Sequence, residues 1–91
     1  MSSRTPSGDR IELRLPELGL GDAMVTASMW LVESGNEVTE GDRLLEVLSG
    51  SVTVDLPAPT SGRLIETTVE VDEEISVGQL LGVIEAIDMP E

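Results

Sequence analysis

The sequence predicts an all-β domain, two four-stranded sheets packed as a flattened barrel or sandwich with internal pseudo-two-fold symmetry. Three observations predict it. Apolar and polar residues alternate in short runs, and no segment keeps a helical apolar period over the ~11 residues that a helix would require. Clusters of Gly, Pro, Asn and Asp cut the chain into about eight short strands. The two halves also resemble each other. At an offset of 41, Ile11, Leu13, Leu15 and Pro16 match Val52, Val54, Leu56 and Pro57; at an offset of 37, Val32, Val38, Gly41, Leu44 and Val47 match Val69, Ile75, Gly78, Leu81 and Ile84. The change of offset predicts four extra residues in the first loop, between Pro16 and Ser28. Each half is expected to bury its apolar face against the other, with the linking hairpin at one end and both termini at the opposite end.

Taken in order, residues 1–10 (MSSRTPSGDR) are polar and aperiodic and read as a disordered lead-in. Ile11, Leu13 and Leu15 alternate with Glu12 and Arg14 as a half-buried strand stopped by Pro16. Residues 17–22 (ELGLGD) form a glycine-bearing loop. From Val25 to Val32 the alternation separates Ser28, Trp30 and Val32 from Ala27, Met29 and Leu31, and residues 33–36 (ESGN) close the strand as a turn. Val38 begins a very short strand, and Leu44 to Leu48 runs up to a hairpin tip. Val52, Val54 and Leu56 alternate down its other side to Pro57. After the turn Thr60-Ser61-Gly62, a strand from Leu64 to Val71 places Ile65, Thr67, Val69 and Val71 on one face. Ile75 forms a short strand, Leu80 to Ile84 the last one, and residues 87–91 a tail or linker start. The domain proper is therefore expected to span residues 11–86.

Gly50-Ser51 between two apolar strand patterns is a two-residue hairpin signal, with glycine supplying the positive φ required at the first central position of a type II′ turn. With 91 residues, 40% of them hydrophobic, the chain suits one small domain. Neither cysteine nor histidine occurs, so no disulfide or zinc site is expected to brace the fold. The net charge of −13 comes from eighteen acids against five arginines, with no lysine. Nucleic acid is therefore an unsuitable partner, because phosphates are engaged through Lys and Arg. A cationic protein surface fits better; alternatively the charge serves solubility or a salt-rich cytoplasm. No apolar run approaches the ~18 residues of a membrane span, and the first ten residues lack a secretory core, so the expectation is a soluble cytoplasmic protein, monomeric as a domain.

In sequence, the ordered set Leu15-Pro16-Glu17-Leu18-Gly19-x-Gly21, Trp30-x-Val32-x-x-Gly35-Asn36-x-Val38, Glu46-Val47, Leu56-Pro57-Ala58-Pro59-x-x-Gly62 and Gly78-Gln79-x-Leu81 resembles the lipoyl and biotinyl attachment domains. The version it resembles is the one carried by 2-oxo-acid dehydrogenase acyltransferase (E2) subunits, and the likeness covers about Ile11 to Ala86. It implies a lipoyl-type barrel-sandwich hybrid and a swinging cofactor, lipoate or biotin, on a lysine in an Asp-Lys-Ala hairpin tip. Here Gly50-Ser51-Val52 occupies those three positions, and Ser51 stands where the lysine would be. A serine hydroxyl cannot form the amide, and no histidine is available to deprotonate it. Leu20 replaces the usual acid between Gly19 and Gly21, and Val25 stands where the family often has glycine.

The expectation is thus a non-catalytic, lipoyl-like interaction module without a covalent cofactor, related to 2-oxo-acid dehydrogenase complexes, its candidate contact residues being Leu18, Gly19, Leu20, Gly21 and Trp30. Two alternatives stay open: an E2 carrier domain altered at its tip, and a structural module of a secretion or efflux adaptor. Glu70, Asp72, Glu73 and Glu74 lack an EF-hand spacing and read as a solvated turn instead of a metal site. Gly19-x-Gly21 reads as a surface loop and not a phosphate cradle, since no helix follows it.

Overall fold

The computed structural model describes residues 5–21 and 23–88. Eight strands follow in order: β1 (Thr5–Arg14), β2 (Val25–Trp30), β3 (Glu37–Val38), β4 (Arg43–Ser49), β5 (Val52–Pro57), β6 (Gly62–Thr67), β7 (Glu74–Ile75) and β8 (Leu80–Asp88). All pairings are antiparallel, in two sheets ordered β1-β8-β6-β3 and β5-β4-β2-β7. The all-β, two-sheet architecture is the one expected from the alternation.

The pseudo-symmetry is carried bond by bond. Between β2 and β8 the offset of 37 holds throughout: Gly35 N–H donates to Leu64 O as Asp72 N–H donates to Ala27 O, both at 2.7 Å. Leu31 N–H to Leu44 O likewise matches Thr68 N–H to Leu81 O. Gly35 has φ 102°, and its counterpart Asp72, at φ 74°, is the described non-glycine residue in the left-handed region. The turn, not the side chain, dictates that backbone.

Four expectations are corrected. First, the halves do not stack as separate layers: each sheet takes two strands from each half, β1 and β3 with β6 and β8, and β2 and β4 with β5 and β7. Second, the first strand matches at an offset of 43, not 41. Gly78 N–H donates to Leu15 O as Gly41 N–H donates to Ala58 O, so Leu15 corresponds to Ala58 and the first loop is longer by six residues, the gap between offsets 43 and 37. Third, β1 begins at Thr5, because β8 continues to Asp88 and offers its backbone edge, with an irregularity between Pro6 and Arg10 where Gly8 takes φ 85°. The disordered reading is therefore replaced for residues 5–10, and the tail reading for Ile87 and Asp88; Met1–Arg4 and Met89–Glu91 lie outside the described residues.

Fourth, irregularities between Ala27 and Met29 and between Leu64 and Glu66 switch the strand faces. One extra residue in a strand reverses the parity of everything after it. Ala27 is therefore buried while Met29 is exposed, and Leu64 and Val69 both point into the core; Val71 lies past the end of β6, in the turn, and is exposed.

The core runs between the sheets, with Leu15, Leu44, Leu45, Leu64, Leu81, Ile84 and Val47 fully buried. Trp30 breaks the symmetry usefully. Its counterpart is Thr67, and its ring reaches Gly82, where a Cβ would lie 3.4 Å from Trp30 Cη2. A large residue on one sheet fills space left by a small one on the other, as close packing requires. Gly62 is fixed differently: a Cβ there would collide with the backbone oxygen of Glu85.

Urea denaturation should therefore show Gly62→Ala destabilised by at least about 2 kcal/mol, since backbone must move to admit the methyl. At position 72 stability should rank glycine at or above aspartate and both above alanine, with Asp72→Ala costing about 1 kcal/mol for a left-handed residue without a compensating polar group.

Candidate functional site

The β4–β5 hairpin closes with Ser49 paired to Val52, leaving Gly50 and Ser51 as a two-residue loop. Gly50 has φ 60°, whereas Ser51 is not among the positive-φ residues, which is the type II′ pattern expected from the sequence. Strand alternation sets the chemistry presented there. Val47, Ser49, Val54 and Leu56 face inward, while Leu48, opposite Thr53 and Thr26, faces outward and is exposed. Ser51 is exposed, Ser49 is 6% exposed, and its Oγ has no hydrogen-bond partner. A serine hydroxyl needs a neighbouring base to become a nucleophile at neutral pH, and the sequence contains no histidine to provide one.

Beside the hairpin lies the loop after β1. Glu17 Oε1 accepts from Gly19 N–H at 2.9 Å, and Gly19 and Gly21 adopt φ 71° and 67°, so the ELGLG run is a braced turn that needs its glycines. Leu18 folds back onto the core. Across from this loop runs the β7–β8 turn, tied to it by Gly78 N–H to Leu15 O at 2.8 Å and Leu15 N–H to Gln79 O at 3.1 Å. A cleft of about 260 Å³ opens between them, with Leu18, Leu20, Val25, Ile75 and Val77 among its lining residues and, among the described residues, Glu17 and Glu74 as its charged ones.

Strand register places this cleft relative to the tip. Thr26 pairs with Leu48 and Val25 with Ile75, so Ser49, Val25 and Ile75 occupy one transverse row of the sheet. One inter-strand spacing, about 5 Å, separates the hairpin from Val25 and two, about 10 Å, from Ile75. β8 leaves from the turn next to Ile75 and carries its last residues roughly 25 Å away over nine residues. The hairpin and the paired chain ends therefore lie at opposite ends of the domain.

The structure brings Leu18, Gly19, Leu20 and Gly21 together near the tip but leaves Trp30 elsewhere. Trp30 is five residues along β2 from Val25, about 15 Å. Its Nε1–H donates to Val69 O at 3.0 Å and its ring packs on the core, a structural role. The sequence reading did not single out Val77, which lines the cleft and is 58% exposed. A signal existed in the repeat, because the counterpart of Val77 is Glu40, and an apolar residue replacing an acid on a turn tip is unusual. In the acidic turn, Glu73 Oε1 accepts from Glu70 N–H at 3.1 Å, closing the loop on itself.

Comparison with known proteins matches residues 11–84 to the biotin/lipoyl family, described as "Biotin-requiring enzyme". The chain is 33% identical over 75 residues to the dihydrolipoyllysine-residue succinyltransferase component of the 2-oxoglutarate dehydrogenase complex of Bartonella vinsonii subsp. berkhoffii, covering 82% of this chain and 18% of that protein. It is 34% identical over 70 residues to the dihydrolipoyllysine-residue acetyltransferase component of the pyruvate dehydrogenase complex of Bacillus subtilis, covering 77% and 16%. The chain thus spans less than a fifth of the length of these curated relatives. Among solved structures, the lipoyl domain of the 2-oxoglutarate dehydrogenase complex from Azotobacter vinelandii superposes with a TM-score of 0.67 at 20% identity, over 81% of this chain and 94% of that one. A single-chain long-chain acyl-CoA carboxylase gives a TM-score of 0.70 at 18% identity, over 93% of this chain and 8% of that one.

Gly50→Ala should lower stability by about 1–2 kcal/mol, the cost of a left-handed L-residue, measured by chemical denaturation. Trp30→Phe keeps most of the ring but strands the Val69 carbonyl, and should cost about 1–2 kcal/mol in the same assay.

Proposed function

Given that the chain belongs to the biotin/lipoyl attachment family and is built like the lipoyl domains of 2-oxo-acid dehydrogenase acyltransferase components, we propose that it is a carrier scaffold without its arm. On this reading it carries neither lipoate nor biotin, catalyses no reaction itself and acts as a protein-binding module of a 2-oxo-acid dehydrogenase-type assembly in the cytoplasm. One observation carries the reading: a sequence without a single lysine presents Gly50-Ser51 at the hairpin tip.

The family's cofactors do not fit the residues present. An amide-linked arm needs a primary amine at the tip, and the groups there are the Ser51 hydroxyl and apolar Leu48 and Val52. No step through a bound cofactor is therefore assigned. The scaffold that would hold such a tip is complete, including the type II′ turn and the braced Glu17–Gly21 loop. Retention of the loop and loss of the amine together favour a role in docking.

A second reading is an E2 carrier whose tip takes a different attachment, favoured by the acyltransferase components among its relatives. Intact-mass spectrometry on protein isolated from its native host separates the two. The unmodified mass is expected, and an adduct mapped to Ser51 would overturn the docking role. The double variant Gly50→Asp/Ser51→Lys, incubated with lipoate ligase, should gain one lipoyl group while the natural sequence gains none.

A further inference from the structure

We infer that the outer face of the β5-β4-β2-β7 sheet is a docking surface for an amphipathic helix of a partner protein, whose apolar stripe lies on Leu48 and Met29 and whose lysine or arginine meets Glu74. The inference rests on the docking role proposed above and gives that role a surface and a partner chemistry.

The repeat supplies the comparison. One transverse row of the other sheet reads Arg10, Glu85, Arg63, Glu37 across its four strands, and the matching row here reads Thr53, Leu48, Thr26, Glu74. The offset is 43 for the first residue of the row and 37 for the other three. Every residue of both rows is exposed or half-buried. One backbone therefore carries a ladder of alternating charge on one sheet and threonine and leucine on the other, so the fold does not demand the apolar version. Further along β2, Met29 takes the place that Glu66 holds on β6. Exposed large hydrophobics follow the same division. Met24, Met29, Leu31 and Leu48 lie on or beside β2 and β4, and none among the described residues lies on β1, β3, β6 or β8. From Met24 to Leu31 this lane runs about 20 Å, the length of a helix of about four turns.

Charge selects the occupant. In the other sheet Glu37 has Arg63 at 3.8 Å and Glu12 has Arg14 at 3.0 Å. Their counterparts Glu74 and Asp55 keep the acid without that cation, because Thr26 stands where Arg63 would be and Pro57 where Arg14 would be. Arg43 bonds Asp55 at 3.3 Å, and Glu46, in the middle of the face, accepts from Ser28 Oγ at 3.2 Å. Glu74 thus faces Thr26 where its counterpart faces an arginine, and a partner's base laid over Thr26 would restore the pair. A strand would add at a sheet edge, whereas a face is covered by a helix or a second sheet. A second copy laid face to face would set Glu46 and Glu74 against their equals, with no lysine in either chain and a net charge of −13 on each.

The test uses the full chain, ¹⁵N-labelled and verified as unmodified by intact mass. It is titrated with a synthetic helical peptide of about four turns carrying leucines along one face and lysines and arginines beside them. Backbone amide shifts are expected from Met24 to Leu31 and at Leu48, with a Kd below about 1 mM at low salt and at least about fivefold weaker binding at about 0.5 M NaCl. A scrambled peptide of the same composition, its leucines spread around the helix, should bind at least about tenfold more weakly. The double variant Thr26→Arg/Leu48→Glu places on this face the residue types that the other sheet holds at the same positions and leaves the net charge unchanged. It should weaken binding about tenfold, and Met29→Gln, which keeps the charge in a single change, about threefold. Glu74→Gln should weaken binding at least about threefold, while Glu66→Gln, the same loss of charge from the other face, should leave it unchanged.

No shifts at about 1 mM peptide, shifts centred on the face bearing Arg63, equal binding of the ordered and scrambled peptides, or full binding by Thr26→Arg/Leu48→Glu or Met29→Gln protein that keeps its dispersed amide spectrum would overturn the inference. So would sedimentation showing a concentration-dependent dimer that buries Leu48. With the protein mass unmodified, these outcomes remove the face assignment alone, whereas an adduct on Ser51 removes the docking role beneath it.

Discussion

Neither half of this chain can satisfy its own strands. Of the six strand pairings, four join a strand of the first half to one of the second: β1 with β8, β3 with β6, β4 with β5, and β2 with β7. A half on its own would expose unpaired backbone edges and one face of each remaining pair to water, and both carry a cost. The interleaving makes folding a single event for the whole chain. It also explains how a 91-residue domain without cysteine closes around a core of fully buried Leu, Ile and Val.

The same interleaving positions the hairpin end. Because β2 lies between β4 and β7, the hairpin tip and the β7–β8 turn are held two strands apart in one sheet. The longer first loop, which has no equal in the second half, fills the space beside them. Asymmetry in an otherwise repeated fold thus concentrates at the end that carries the hairpin, where Glu40 of one repeat becomes Val77 of the other. At the equivalent place near the chain ends, the repeat presents charged residues and Arg63 pairs with Glu37 at 3.8 Å, an exposed contact worth little energetically.

Chemistry at the tip follows from composition. The sequence offers no lysine, and the turn rests on the positive φ of Gly50, so it sets no demand on the chemistry of the exposed side chain at position 51. Beside the tip the cleft mixes apolar Val25, Ile75 and Val77 with polar Glu17, Glu74 and Ser76, and Arg14 donates to Gly78 O at 2.7 Å on the bounding turn.

By itself the sequence determined what is local: the alternation that makes strands, the glycine that makes the Gly50-Ser51 turn, the absence of amine and imidazole, and the glycines of the loop after β1. The tertiary structure alone decided three matters. Offsets of 41 and 43 differ by two residues, and a strand slid by two keeps the same face inward, so alternation could not distinguish them; the bonds of Leu15 and Ala58 could. The irregularities at Ser28 and Ile65 reversed which residues are buried, and no local signal marks an extra residue in a strand. The cleft was illegible for a related reason. It is made of Val25, Ile75 and Val77, joined to Leu18 and Leu20 only when β7 docks on β2, and a surface formed by strands about fifty residues apart exists only after the chain has closed.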